Sequence, residues 1–227
     1  MKKLVVLTGA GMSAESGLKT FRDANGLWEG HNVMEVATPE AFESNPELVL
    51  EFYNQRRRQL LEVQPNEGHL NLKYLETSFH VHIITQNVDD LHERAGSSNI
   101  LHLHGELKKV RSTIHKDHII NWSEDLVLGD IDTDGNQLRP HIVWFGEAVP
   151  MLDKAIQITE QADVLVIIGT SMQVYPAASL INFIKPNTPI YFIDPKPSIT
   201  ENQYRNLRIL KNGASEGTKE LMHLLVD

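Results

Sequence analysis

The sequence predicts an α/β protein, a Rossmann-like parallel sheet with helices on both faces, plus a smaller domain built from two insertions. Two observations carry this. Apolar, β-rich runs recur at Leu4–Thr8, His80–Thr85, Ile100–Leu103, Val164–Gly169, Ile190–Asp194 and Leu207–Leu210, with helical stretches between most of them. A run without polar interruption reads as a strand covered on both faces, and strands alternating with helices imply a parallel sheet. In such sheets ligands sit beyond the carboxyl ends of the strands.

The first run leads into Gly9-Ala10-Gly11-Met12-Ser13-Ala14-Glu15-Ser16-Gly17. Glycines after a strand let the backbone turn sharply and approach a ligand closely, and a following helix would turn its free N–H groups toward an anion. A tight turn without a ligand fits the same residues. A dehydrogenase would place an acidic residue about twenty positions on, at the end of a second strand. Here Thr20–Glu29 is instead polar and loop-like.

Thr38-Pro39-Glu40 and Asn45-Pro46-Glu47 each combine a cap, a first-turn proline and an early acid, so helices start there, the second running over Leu48–Glu62. Met151–Ala162, Tyr175–Ile184 and Ser215–Val226 also read as helices. Two segments break the alternation, and the expected division is a single unit over 1–227. Its Rossmann-like part takes 1–19, 73–107 and 141–227, and the small domain takes 20–72 and 108–140.

Composition narrows the function. A chain of 227 residues buries a full core, and a formal charge of −9 argues against general binding to nucleic acid or anionic membranes. Without cysteine there is no disulfide, thiolate nucleophile or cysteine-ligated zinc. Met1-Lys2-Lys3 is too short a leader for a signal peptide, and no apolar segment is long enough to span a bilayer. The expectation is a cytoplasmic enzyme.

Chemistry-bearing groups fall at the strand ends. Gln86-Asn87-Val88-Asp89 offers two amides and a carboxylate, suited to a carboxamide, a ribose hydroxyl and a water, or to a helix cap. In His102-Leu103-His104-Gly105 alternation puts both histidines on one side, where one could act as a general base or serve a structural role. Arg139–Glu147 follows, and then Gly169-Thr170-Ser171, a second loop suited to a nucleotide or an ordinary strand-to-helix turn.

Taken in order and at their spacing, Gly-Ala-Gly-x-Ser-x-x-Ser-Gly, Phe21-Arg22, Gln86-Asn87-x-Asp89, His104-Gly105, Phe145-Gly146-Glu147 and Gly169-Thr170-Ser171 resemble the sirtuin family of NAD-dependent protein deacylases, over almost the whole chain. The resemblance implies that Gly9, Ala10, Gly11, Ser13 and Glu15 hold the pyrophosphate region of NAD and that Phe21 and Arg22 close over it. Gln86, Asn87 and Asp89 would line the ribose and nicotinamide pockets. Gly169, Thr170 and Ser171 would line the adenosine side, with Asp194 and Ala214 near it. His104 would be the catalytic base and Asn87 its catalytic partner. Val143, Phe145, Gly146 and Glu147 would run beside an acylated lysine peptide as an added strand. The products would be free lysine, nicotinamide and O-acyl-ADP-ribose. Alternatives on the same scaffold are an NAD glycohydrolase or ADP-ribosyltransferase, and a non-catalytic NAD sensor.

Tyr53 and Arg56 are three apart on the helix from Leu48 and so share one face. The pair, with Ala24 as a small residue widening the acyl pocket, resembles the desuccinylase/demalonylase class of sirtuins, because arginine offers a bidentate fork to a carboxylate. Most sirtuins hold a structural zinc on four cysteines, and this chain has none. Ser112 and His115 keep the spacing of the first pair. The expectation is no metal, with Ile119, Trp122 and Leu126 packing the insertion and its Asp and His side chains hydrogen-bonded. No oligomerisation segment is visible, so a monomer is expected.

Overall fold

The structure is a computed structural model that describes residues 1–19, 27–28 and 31–226, with the backbone alone at 27 and 28. Phe21, Arg22 and Ala24 therefore lie outside the described residues. In chain order the elements are β1 (Lys3–Thr8), a short ribbon of β2 (Leu27–Trp28) and β3 (His31–Asn32), then α1 (Val33–Val36), α2 (Pro39–Ser44), α3 (Pro46–Glu62), α4 (Glu67–Leu75), β4 (His80–Thr85), α5 (Leu91–Arg94) and β5 (Ile100–His102). There follow β6 (Gly105–Ser112), β7 (Ile119–Asn121), β8 (Leu138–Ile142), α6 (Leu152–Thr159), β9 (Val164–Ile168), β10 (Ile190–Ile193), β11 (Leu207–Leu210) and α7 (Ala214–Val226).

Six strands form one parallel sheet in the order β11-β10-β9-β1-β4-β5. The chain therefore winds out from β1 in one direction and then, from β9, in the other. This is the doubly wound arrangement, with its switch point between β1 and β9. Alternation explains the unbroken apolar runs. Val5 and Leu7 of β1 enter the core under α6, while Leu4 and Val6 enter the core under α4 and α7. In register, Thr8 stands level with Thr85 and with Ile168, and Ile168 with Ile193. The loops that open at Gly9, Gln86, Gly169 and Asp194 thus leave one edge together.

The helix starts follow their caps. Thr38 Oγ1 accepts from the Ala41 N–H, and Asn45 both ends α2 and caps α3 through the Leu48 N–H. Three expectations need correction. The segment after Gly9 is two 3-10 turns, Ala10–Met12 and Ala14–Ser16, too short for a helix macrodipole. Residues 177–183 form a 3-10 helix. The expected division at 72/73 cuts through α4, whose Leu72 and Leu75 both belong to the core under the sheet.

The two insertions meet each other. β6 pairs antiparallel with β7 and β8, and α3 lies across this small sheet. Leu50 of α3 packs with Val110, Leu126 and Leu138. Asn54 exchanges two hydrogen bonds with the Leu126 backbone, and Arg57 Nε donates to the Leu107 carbonyl at 3.0 Å. Leu126 is buried and Trp122 is packed as expected, but Ile119 is 45% exposed and its neighbour Ile120 takes the place in the core. Asp132 accepts from the N–H groups of Asp134 and Asn136 and is held below the usual carboxylate range, by Ser112 first and Asn136 after it. Ser112 in turn accepts from the N–H groups of Ile114 and His115. No helix among the described residues is long and apolar enough to cross a membrane.

Candidate active site

A cavity of about 520 Å³ opens at the carboxyl edge of the sheet, between it and the small domain. Its floor is the switch point. Gly11 N–H donates to the Gly169 carbonyl at 2.8 Å, and Gly169 adopts φ +61°. A Cβ on Gly11 would stand 2.6 Å from the Gly169 Cα. The two loops touch backbone to backbone, so glycine is required there even before any ligand is considered. Ala10, Ser13 and Glu15 border the cavity from one side, and Thr170, Ser171 and Asp194 from the other. Gln86 Nε2 reaches across to Thr170 Oγ1 at 3.2 Å. Glu15 accepts from the Ser215 N–H and side chain, tying this loop to the start of α7. The Ala214 side chain is buried in the core under the sheet, and the preceding Gly213 borders the cavity.

The loop after β4 is a locked set of polar groups. Asn87 Nδ2 donates to Ser13 Oγ at 3.1 Å, and Ser13 Oγ donates to Asp89 Oδ2 at 2.9 Å. The other oxygen of Asp89 accepts from the Leu91 N–H at 3.2 Å, the first N–H of α5. Burial pushes the Asp89 carboxyl up, against those hydrogen bonds. Asn87 N–H donates to Thr85 Oγ1, and behind it Thr8 Oγ1 donates to the same oxygen. Thr8 also contacts His92 Nε2 at 3.2 Å, and the His92 ring meets His69 edge to face at 4.8 Å. This buried layer of Thr8, Thr85, His69 and His92 was not foreseen. Nothing in the sequence signals it except threonines at strand ends.

The two histidines after β5 separate in role. His104 lines the cavity, and its Nδ1 lies 3.1 Å from the Gln86 carbonyl. A carbonyl only accepts, so Nδ1 carries the hydrogen and Nε2 is the basic nitrogen. Burial lowers the His104 pKa, partly offset by that carbonyl, which keeps the ring neutral at pH 7. His102 stands behind the loop. Its Nδ1 faces the Asn87 carbonyl at 3.1 Å and its Nε2 the Glu93 carboxylate at 2.8 Å. Both neighbours are acceptors, which favours the protonated ring. Burial opposes that charge, but Glu93 outweighs it and raises the pKa. Gly105 follows at φ +82°, where a Cβ would stand 2.0 Å from the His141 carbonyl of β8.

The facing wall comes from α3 of the small domain and from the chain that follows β8. Tyr53 and Arg56 both border the cavity. The three successive arginines point three ways: Arg56 to the cavity and over the Phe52 ring, Arg57 into the core, and Arg58 to Glu51 and Asp125 on the surface. Tyr53 is fully buried, and its hydroxyl accepts from Trp144 Nε1 at 3.0 Å. Burial pushes the phenol pKa up, so it stays a hydrogen donor. Val143, Phe145, Gly146 and Glu147 all border the cavity, and the Glu147 carboxylate is taken up by protein groups. It takes Arg139 at 2.8 Å, Arg111 at 3.2 Å and the Trp144 N–H at 2.8 Å. Trp144 and Arg139 were given no part by sequence reasoning, because their roles rest on contacts between distant segments.

Among the described residues, one group of potential metal ligands comes together: Glu93, His102 and Glu106. It lies outside the His/Asp-rich insertion. Its members are already paired, Glu93 with His102 and Glu106 with Lys109 at 2.7 Å.

The Sir2 family model matches residues 9–176. The chain is 57% identical over 227 residues to a protein of Helicobacter pylori named NAD-dependent protein deacylase, covering 100% of this chain and 99% of that one. It is 56% identical to a protein of the same name from Bacteroides thetaiotaomicron, with 100% and 99% covered. Among solved structures it is similar to a Sir2 homologue bound to NAD, at TM-score 0.88 and 40% identity, covering 98% of this chain and 89% of that one. It is also similar to a Sir2 protein with a deacetylated p53 peptide and 3′-O-acetyl ADP ribose, at TM-score 0.80 and 28% identity, covering 98% and 93%.

Proposed function

The chain belongs to the Sir2 family and is an NAD-dependent protein deacylase; we propose that it removes succinyl and malonyl groups from protein lysines in preference to acetyl. The observation that carries this reading is the joint presence of Tyr53 and Arg56 on the cavity that His104 also lines. An arginine fork and a phenol donor suit an acyl chain ending in a carboxylate. Arg56 borders the cavity, whereas Arg111 and Arg139 are both bound to the Glu147 carboxylate.

The groups present suit NAD. The glycine cradle would be filled by any Cβ, and Ser13, Asn87 and Asp89 hold buried polar atoms at its side. Gly9, Gly11 and Ser13 would hold the pyrophosphate region, Asp194 and Ser171 the adenosine side, and Asn87 and Asp89 the nicotinamide ribose. When bound, NAD supplies the ribose that accepts the acyl group and releases nicotinamide. His104 takes the proton from the reacting hydroxyl at Nε2, oriented by the Gln86 carbonyl on Nδ1. Ser13 and Asp89 hold the Asn87 amide in place for the acyl-transfer step. Phe145 and Gly146 flank the peptide. On this reading the enzyme acts as a cytoplasmic monomer on acylated lysines of other proteins.

The test is kcat/KM on one peptide carrying succinyl-lysine or acetyl-lysine, for the wild type and Arg56→Met. A charge-assisted hydrogen bond is worth about 1.5–3 kcal/mol, so the succinyl-to-acetyl ratio falls at least about tenfold in the variant. Equal loss on both peptides would reject a carboxylate-reading role.

A further inference from the structure

We propose that Trp144 is a positioning residue for acyl selection, acting through its hydrogen bond to the Tyr53 hydroxyl. The inference rests on the acidic-acyl reading of Tyr53 and Arg56. The indole N–H can only donate, so the phenol oxygen accepts from it at 3.0 Å, and the phenol's own hydrogen is turned away from the indole. A hydroxyl fixed in this sense is presented as a donor, which is the form that recognises a carboxylate. Without the indole N–H, the lone pair it occupies becomes available, and the hydroxyl is less strictly held as a donor.

The indole is itself fixed on several sides. The Arg139 guanidinium stacks on the Trp144 ring at 3.3 Å and also donates to the Ile142 carbonyl at 2.9 Å. Phe42 packs against the same ring at 5.3 Å. Glu147 accepts from the Trp144 N–H at 2.8 Å and binds Arg139 through both oxygens. The pairing of Glu147 thus acquires a function: it anchors the indole that orients the phenol.

The experiment is a double-substitution cycle on the succinyl-to-acetyl ratio of kcat/KM, with Trp144→Phe in the wild-type and in the Tyr53→Phe background. One neutral hydrogen bond of about 1 kcal/mol corresponds to a fall of about fivefold in the wild-type background, seen as a raised KM for the succinyl peptide. In the Tyr53→Phe background Trp144→Phe adds nothing. An unchanged ratio in the wild-type background, or an equal fall in both, overturns the positioning role. If Trp144→Phe does not fold, the benzothienyl analogue of Trp144, which loses only the N–H, takes its place in the same cycle. Arg56→Met separates the two claims: no change in its ratio overturns the acidic-acyl reading and this inference with it, whereas a fall with Arg56→Met and none at Trp144 overturns this inference alone.

Discussion

The two walls of the cavity are made of different material. The sheet wall is backbone and short side chains: Gly11 against Gly169, then Asn87, Ser13 and Asp89 in a chain of hydrogen bonds no longer than 3.1 Å. The facing wall is made of long side chains, Tyr53, Arg56 and Trp144, set on α3 and beyond β8 and held by the Arg111–Glu147–Arg139 cluster. A wall of backbone has few ways to vary and suits a ligand that never changes. A wall of long side chains can be altered one residue at a time without moving the chain. On the proposed reading, shared chemistry sits on the sheet wall and substrate choice on the facing wall.

The difference predicts which substitutions touch which property. On the proposed reading His104→Ala removes the base at the junction of the walls and lowers steady-state deacylation of acylated peptide by about 10²–10⁴-fold, on every acyl group alike. The melting temperature serves as the control for folding. An acyl-dependent loss would place His104 on the specificity side and break the comparison.

Acidification attacks the sheet wall. Burial lowers the His69 pKa from its ordinary 6.5 to about 4, and His92 is lowered in the same way. Above pH 6.5 the ring is neutral in both the folded and the unfolded chain, so nothing is lost there. Below that, the unfolded chain takes up the proton first, and stability falls as the pH drops toward 4, by about 3 kcal/mol for His69 alone. Denaturant titrations between pH 7.5 and 4.5 read this directly. A flat profile would contradict the neutral, buried state of the pair.

Gly11→Ala forces the two loops apart and costs about 1–3 kcal/mol in stability, with weaker NAD binding by calorimetry. The succinyl-to-acetyl ratio does not move, because the variant does not reach α3. The smallest effects belong to the facing wall. They are the tenfold and fivefold changes in ratio expected for Arg56→Met and Trp144→Phe, at little cost to NAD affinity.

The same contrast governs what the sequence disclosed. Gly9, Gly11, Asn87, His104 and Gly169 were legible as candidates because each stands within three residues of a strand end, and β1 and β9 are buried, nearly unbroken apolar runs. The buried side of each run was equally plain, since both faces of β1 are covered. The antiparallel sheet of β6, β7 and β8 was hidden, because its strands interleave Lys108, Lys109 and the buried Arg111 and Arg139 with apolar residues and lack the apolar run. The roles of Trp144 and Arg139 and the pairing of Glu147 were hidden for another reason. The Trp144–Tyr53 contact joins residues 91 positions apart, and no local pattern encodes it. The two 3-10 turns after Gly9 were misread as a longer helix because Ala and Glu favour one. The touching backbones of Gly11 and Gly169 hold the loop in tighter turns instead.

The most direct test of the central claim is mass spectrometry of one lysine peptide in acetylated, malonylated and succinylated forms, incubated with the enzyme with and without NAD. NAD-dependent loss of the malonyl and succinyl groups is expected to be faster than that of acetyl. Loss of acetyl alone would leave the sheet wall and His104 as described, and would contradict the reading of Tyr53 and Arg56.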